Sequence, residues 1–458
     1  MRFHLCQADY QPAVKAVTTS RAGGIVLLVT MVVLLVLATL GYNLVSRVAA
    51  QRHRDNYIID YTTACYARDS AIKYALSGLQ EMKNIELISR PNEPDFSDLF
   101  NMSEPDYQRL LEQWAEELIK KQQLESSGDA NNQESLDAEK PEEIDKEENI
   151  SLPVMDEVNE INDGNVVKPK AEPNMIDSLV IRGPYGPPWP LVAEPVEIQI
   201  GTATVKITIE DENAKYPAGW AVLDDKNVQR EAQAGLETFC EWMGFDSDKI
   251  GLLKEQLKQV GSIKPFKVDF KPVTQTTPVA AAPAAAARRR GTRPMRTTYR
   301  TTNISANELW ARQAGEFSKL FHSSLVDTEM LAAPTIISEK RKESALKYMD
   351  LWGSTQVNIN SAPRQVLEAA FIFGGDADKI AGEIIKERKI KPFTDTGELK
   401  KKLFKFSNGI EKCEPYITAT SSVFTIHVTA SSGVAKASAV IVVLKQGGKI
   451  QRVAVVSG

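Results

Sequence analysis

The sequence predicts an α/β chain with three parts: a long N-terminal helix that begins in a membrane, an antiparallel sheet, and a large helical block inserted between the strands of that sheet. Three observations predict it. No side chain from residue 23 to residue 45 is charged at pH 7, and a helical pattern runs on beyond that stretch. Apolar residues alternate with polar ones at 196–209, and strands return at 416–456. Between those two strand regions the period is helical. At 458 residues with 43% hydrophobic and 25% charged side chains, the chain has room for two or three domains of ordinary globular composition.

The apolar segment is long enough, at ~1.5 Å per residue, to cover ~30 Å of hydrocarbon. Ala22-Gly23-Gly24 stands before it, whereas a secretory signal carries its small-residue cleavage site after the apolar run. That order suits a leader clipped on the cytoplasmic side, with the apolar segment as the mature N-terminus. An ordinary signal anchor accounts for the segment taken alone. Arg2, Lys15 and Arg21 precede it and Arg47, Arg52 and Arg54 follow it, so charge does not set the orientation. Beyond the span, Cys65, Ile72, Leu76 and Leu79 make one helical stripe. Ala64, Ala67, Ala71, Ala75 and Gly78 make a small-residue stripe beside it, suited to close packing. A further amphipathic helix is expected between 102 and 123, with Tyr107, Leu110, Leu111, Trp114 and Leu118 packing on the globular head.

Two stretches read as linkers. From 125 to 163 there are fourteen acidic residues against two lysines and few large apolar side chains, too few to offset the entropy of ordering. The stretch around 272–303 has an Ala-Pro repeat and six arginines (Arg288, Arg289, Arg290, Arg293, Arg296 and Arg300), and reads as a solvated basic loop. Between them, Pro184-Tyr185-Gly186-Pro187-Pro188-Trp189-Pro190 suggests an extended strap across the sheet, with a polyproline ligand as the alternative.

The first strand pair turns at Gly201-Thr202, and its second strand stops at Asp211-Glu212-Asn213 and Tyr216-Pro217. Helical patterning covers 228–260, with Ala232, Leu236, Phe239, Trp242 and Met243 on one face, and resumes at Ser305. Four closing strands are expected at 416–420, 423–428, 437–444 and 450–456, with turns at Ser431-Ser432-Gly433 and Gln446-Gly447-Gly448.

Within the helical block lies the sharpest motif, Val357-Asn358-Ile359-Asn360-Ser361-Ala362-Pro363-Arg364-Gln365-Val366-Leu367. Asn360 or Ser361 is expected to cap a helix, with Pro363 in its first turn and Gly374-Gly375 at its end. Asp376 or Asp378 starts a second helix, Arg388 follows, and Lys391-Pro392-Phe393 leads to a third helix near 398–403. This arrangement resembles the helix-hairpin-helix repeats of DNA-uptake and repair proteins, whose glycine hairpins present N–H groups to phosphates. Here Asp376 and Asp378 sit where phosphate would dock, which is the wrong charge for nucleic acid.

The leader looks like that of a type IV pilin-like precursor. Leader, spine, the strand ending in Asp211-Glu212-Asn213, the N-I-N-S-A-P element and the closing strands together resemble, in order, the minor pseudopilin K of type II secretion systems. The resemblance covers nearly all of the chain outside the two linkers. It implies a pilin-like α/β fold carrying an inserted helical (SAM-like, helix-hairpin-helix-like) domain. It also implies cleavage by a prepilin peptidase at Gly23, Gly24 and Ile25, an inner-membrane anchor with the head in the periplasm, and partnership with major and other minor pseudopilins at the pseudopilus tip. The family-motif residues are then Asn358, Ile359, Asn360, Ala362, Pro363, Leu367, Arg388 and Phe393, in structural roles. If cleavage follows Gly24, the fifth mature residue is Val29, where major pilin-type subunits resemble one another in carrying Glu. A subunit at the tip has no neighbour above it whose N-terminal amine needs a carboxylate. Relatives bind Ca²⁺ in the head, which makes Asp211, Glu212, Asp376 and Asp378 candidate ligands here. The alternative is a membrane-anchored DNA-uptake or DNA-binding protein using the 358–403 helices.

On this reading residues 1–24 are the leader, 25–85 the spine and 86–123 an extra helical segment. Residues 124–176 are the acidic linker, 177–225 the first pilin-like strands, and 226–270 the first part of the inserted domain. Residues 271–303 are the Ala/Pro/Arg-rich linker, 304–412 the second part of the inserted domain, and 413–458 the closing strands. No enzyme is expected: His4, His53, His322 and His427 have no partner at metal-ligand or triad spacing, and there is no P-loop or G-x-S-x-G. Cys6 falls in the leader, and Cys65, Cys240 and Cys413 make no disulfide framework, though one bridge between Cys240 and Cys413 is open.

Overall fold

The computed structural model describes residues 22–83, 96–100, 102–128, 179, 181–183, 185–279 and 298–458. The leader before Ala22, the acidic stretch beyond Gly128 and the arginine run at 288–296 lie outside the described residues.

A single helix, Ala22–Glu81, forms the spine. It is long and apolar enough to cross a membrane. Its first half stands clear of the rest of the molecule, with Ile25, Val29 and every apolar side chain up to Val48 exposed. From Ala64 onward one face is buried: Ala64, Ala67, Ala71, Ala75, Ile72 and Leu79. The alanine and aliphatic stripes thus act as one surface, and it lies against the chain's own sheet. Gly78 is the exception; it is exposed, and an added Cβ there would meet nothing within 4 Å. The helix ends where Lys445, itself buried, donates from Nζ to the carbonyls of Leu79 (2.6 Å) and Met82. A cation on the last free carbonyls satisfies them and complements the helix dipole.

The strands are β1 (Val196–Ile200), β2 (Ala203–Asp211), β3 (Tyr216–Pro217), β4 (Val273–Val279), β5 (Thr298–Ile304), β6 (Pro334–Ile337), β7 (Lys342–Ser344), β8 (Met349–Asp350), β9 (Val357–Asn358), β10 (Ile417–Thr418), β11 (Val423–Ser432), β12 (Ala435–Gln446) and β13 (Lys449–Ser457). Five of them build the main antiparallel sheet in the order β1-β2-β11-β12-β13. Gly201, at φ +63, makes the β1–β2 turn. The spine packs on the face carrying Val205, Ile207, Ile426, Val428, Ala437, Ala439 and Ile441. Helix Ala306–Phe321 covers part of the other face, with Trp310, Ala311 and Ala314 against Val423, Val442 and Leu444. Ser305 starts that helix through a capping box with Glu308.

The helical domain leaves the sheet after Asp211 and returns at Val423. These two ends are neighbours, because Asp211 pairs with Phe424 across β2 and β11. Its core gathers Tyr216, Trp220, Phe239, Phe317, Leu367, Phe371, Ile384 and Phe393. The predicted helical run at 228–260 is two helices, Gln229–Trp242 and Ser247–Ile263, the second capped by the Asp246 carboxylate on the Lys249 N–H.

Several expectations are corrected. The 416–420 strand is not in the main sheet: β10 pairs in parallel with β9, inside the domain's root. The turn before β12 falls at Gly433-Val434, because β11 runs through Ser432. The ends of the Ala/Pro/Arg stretch are not loop, since β4 and β5 pair antiparallel from Val273↔Ile304 to Val279↔Thr298. Threonine-rich strands have the β-branched side chains that pairing favours, which composition-based reading as a linker overlooks. The extra helix, Glu104–Gly128, packs Tyr107, Leu111 and Ala115 on one face. Its partner is the strap: Tyr107 and Leu111 meet Ile181, and the Tyr107 hydroxyl donates to the Ile181 carbonyl (3.3 Å). The strap itself continues along β2, with Leu191 bridging Glu210, while Trp189 stacks on Phe96 (4.9 Å) and Tyr348 (5.9 Å).

Candidate functional site

The densest concentration of buried polar side chains lies where the helical domain joins the sheet. β2 alternates until Asp211 and then breaks, because Asp211 accepts the Asn213 N–H (2.9 Å) and starts a short 3₁₀ turn, Glu212–Ala214. The second carboxylate oxygen of Asp211 accepts from the hydroxyls of Ser361 (2.7 Å) and Ser421 (2.6 Å). Asn213 reaches both ways: its amide donates to the Gln356 carbonyl (2.7 Å), and its oxygen accepts the N–H groups of Ser422 and Val423, each at 2.9 Å. Three separate segments of chain are thereby held within one hydrogen-bonded cluster.

The N-I-N-S-A-P element supplies the rest. Asn358 donates to Ser421 Oγ (2.6 Å) and accepts the Asn360 N–H (2.9 Å). Asn360 donates to the carbonyls of Phe393 (2.9 Å) and Ala419 (2.8 Å) and accepts the Phe393 N–H (2.9 Å). Neither Asn360 nor Ser361 caps a helix. Helix Arg364–Phe371 begins at Pro363 with no side-chain cap, because the Asn360 amide is committed to residues 33 and 59 positions away. Arg388 completes the set, donating to the carbonyls of Ile359 (2.9 Å) and Ala362 (2.6 Å). Ile359, Ala362, Leu367 and Phe393 are buried in the core around it.

A charged cluster adjoins this knot. Lys215, nearly buried, donates to Glu210 (2.7 Å) and Glu212 (2.8 Å). Asp350 accepts the N–H groups of Trp352 (2.8 Å) and Ser354 (2.6 Å). Burial pushes the Asp211 carboxyl up to about 6, with the Ser421 and Ser361 hydroxyls opposing the shift. Burial pushes Glu212 up to about 7 in the same way, with Lys215 opposing it and Asp350 and Glu210 adding to it. Burial also raises Asp350. Burial disfavours the ammonium of Lys215, yet Glu212 and Glu210 hold its pKa above the ordinary lysine value. This chemistry fixes geometry; it presents no nucleophile beside a base.

Of the calcium candidates, Asp211 and Glu212 are in this cluster with their oxygens engaged by serines, a backbone N–H and Lys215, apart from one Glu212 oxygen that has no partner. Asp376 and Asp378 lie at the start of helix Ala377–Ile390, Asp376 at φ +52 and paired with Lys379 (2.9 Å), Asp378 mostly exposed and 3.9 Å from Arg364. Among the described residues no three His, Cys, Asp or Glu side chains group as a metal site. Cys240 and Cys413 are separate free thiols, each pushed up to about 12 by burial. Gly23, Gly24, Ile25 and Val29 lie in the first turns of the spine helix, and the side chains of Ile25 and Val29 are exposed. Sequence reasoning missed Lys215, Asp350 and Lys445. The available signal was a charged residue set directly after an apolar strand run, as in Val442-Val443-Leu444-Lys445.

No family model matches the chain, and no curated protein matches it. Among solved structures it is similar to a chain of the GspK-GspI-GspJ complex of the type 2 secretion system from enterotoxigenic Escherichia coli. The identity is 12%, the match covers 58% of this chain and 84% of that one, and the TM-score is 0.32.

Proposed function

We propose that this chain is a structural subunit of the minor pseudopilin K type, which helps form and cap the tip of a type II secretion pseudopilus. The observation that carries the reading is the division of one 60-residue helix. Its apolar half is bare, and one face of its far end, from Ala64 onward, is buried under a sheet that bears an inserted helical domain. A signal anchor has no need of such a helix, whereas a subunit drawn out of a membrane into a filament does.

On this reading a prepilin peptidase cuts after Gly24, leaving Ile25 as the N-terminus and Val29 as the fifth residue. The head then faces the periplasm, and the root cluster holds the helical domain at a fixed angle on the sheet so that both can meet neighbouring pseudopilins. N-terminal sequencing of the membrane-bound protein tests it. A start at Ile25 supports prepilin processing, and an intact Met1 overturns it. Mixing the head with the minor pseudopilins of the same cell is the second test, and a head that stays monomeric there argues against the tip role.

A further inference from the structure

β13 forms one edge of the main sheet, and residues 453–457 of it, Val-Ala-Val-Val-Ser, carry neither charge nor proline. Such edges are usually blunted by a charge, a proline, a bulge or a covering element. The opposite edge is blunted: β1 follows Pro195 and carries Glu197, 3.9 Å from Lys206, and the strap at Leu191 and Val192 continues its line along β2. On β13 a bulge opposes Val442/Val443, but beyond it Val455 and Val456 stay 57% and 52% exposed.

The free backbone groups can be assigned. Gly458 exchanges both hydrogen bonds with Ser438 (3.0 and 3.1 Å), and Val456 and Ala454 follow in the same register opposite Val440 and Val442. In an antiparallel ladder the intervening residues turn the other way, so the N–H and C=O groups of Val455 and Ser457 point off the sheet. At the other end of the strand Lys449 and Arg452 are exposed, with no ion pair among the described residues.

The direction of the strand excludes a two-fold pairing with a second copy, and the blunted β1 edge offers a second copy no free strand to add. Gly433, just before β12, lies against Asp60 of the spine, and Lys445 near the end of β12 is bonded to Leu79. β12 therefore runs along the spine, away from its apolar half, and β13 runs back toward it. Two copies rooted in one membrane hold their β13 strands pointing the same way, whereas a two-fold edge pairing is antiparallel and would invert one spine.

We propose that β13 is a docking edge for an extended strand of a different protein, added antiparallel to it. The added strand is apolar opposite residues 453–457 and acidic at its C-terminal end, where it meets Arg452 and Lys449. Main-chain bonds to Val455 and Ser457 would supply the affinity, and the charges the register. The proposal rests on the sheet and on reading the apolar half of the spine as membrane-embedded; it does not depend on the secretion assignment.

The test uses the full chain in detergent and a fluorescent acetylated peptide of three Thr-Val repeats ending in two glutamates. Binding is followed by anisotropy and by amide exchange at Val455 and Ser457. The expected result is saturable binding with slowed exchange at both amides, weakened at least about tenfold by N-methylation of alternate peptide residues, which blocks strand pairing. Lys449→Glu with Arg452→Glu should reverse the preference toward a peptide ending in two lysines, and keeps the test open should Val455→Pro disturb the strand. Equal binding of the N-methylated peptide, or unchanged exchange at Val455 and Ser457, overturns the proposal. So does a concentration-dependent dimer that Val455→Pro dissociates, because the edge would then belong to a second copy.

Discussion

Two junctions hold this molecule together, and they are made of opposite materials. Beside the apolar contact of helix Ala306–Phe321, the helical domain is rooted in the sheet through Asp211, Asn213, Asn358, Asn360, Ser361 and Ser421, all but Ser361 almost fully buried and each in at least one side-chain hydrogen bond. The spine meets the same sheet through Ala64, Ala67, Ala71, Ala75 and Leu79, with one buried lysine at its end. Dispersion and burial are non-directional, so an alanine face brings a helix close without dictating its rotation. Hydrogen bonds between buried groups are directional and costly to leave unmade, so they select one arrangement. The polar root sets an angle, and the apolar seam sets a distance.

The sharpest way to break this contrast is Asn360→Ala. It strands the Phe393 N–H and two carbonyls in the core, at a cost of about 4 kcal/mol if each lost partner costs a little over 1 kcal/mol. Urea unfolding of the detergent-solubilised chain measures it. A loss below 1 kcal/mol would mean that water replaces the amide and that the root is less committed than its geometry indicates.

Acidity separates the two junctions next. Asp211 is raised from 3.8 to about 6 in the folded chain, so between those values the native state binds more protons than the unfolded one. Stability from this group is therefore fully present below the unfolded value and falls as pH rises through about 6. The full effect is about 3 kcal/mol at about 1.4 kcal/mol per pKa unit. Glu212 acts with the same sign up to about 7. The wild type should lose stability from about pH 4 to about pH 7, and Asp211→Asn should flatten its share of that slope. A variant with the same slope as the wild type would assign the pH dependence elsewhere.

At the seam, Ala71→Leu should cost about 2 kcal/mol by overpacking a position that is fully buried against the sheet. Because the seam is non-directional, the loss should appear in the spine–sheet contact while amide exchange at Asn360 and Phe393 stays slow. Faster exchange at the root would show that the two junctions are coupled.

The two junctions were also unequally legible in the sequence. The seam was visible as a stripe, since Ala64, Ala67, Ala71 and Ala75 follow helical spacing. What spacing could not say is which surface they meet, and that surface is the chain's own sheet. The β1–β2 hairpin was legible because its partners are adjacent in sequence. The root was visible only as a motif. Asn360 has the composition and position of a helix cap, and nothing local reveals that Phe393 and Ala419 will claim its amide. Ile417-Thr418 likewise carries strand propensity, but its partner is Val357-Asn358 rather than the sheet beside it. Patterns that a residue completes with near neighbours can be read; those that close over tens or hundreds of residues depend on the fold already being in place.

Gly78 offers the smallest effect and a clean discrimination. It continues the alanine stripe by one turn, yet it is exposed and an added Cβ meets nothing within 4 Å. Gly78→Ala should stabilise the isolated chain by about 0.8 kcal/mol, through helix propensity and a less disordered unfolded state. Thermal unfolding of the detergent-solubilised protein checks the sign. If the same variant, more stable alone, joins the partners proposed above less well, the glycine is kept for close approach by another subunit and the stripe serves two surfaces. If assembly is untouched, the seam ends at Leu79 and Gly78 is only the point where the helix passes into solvent.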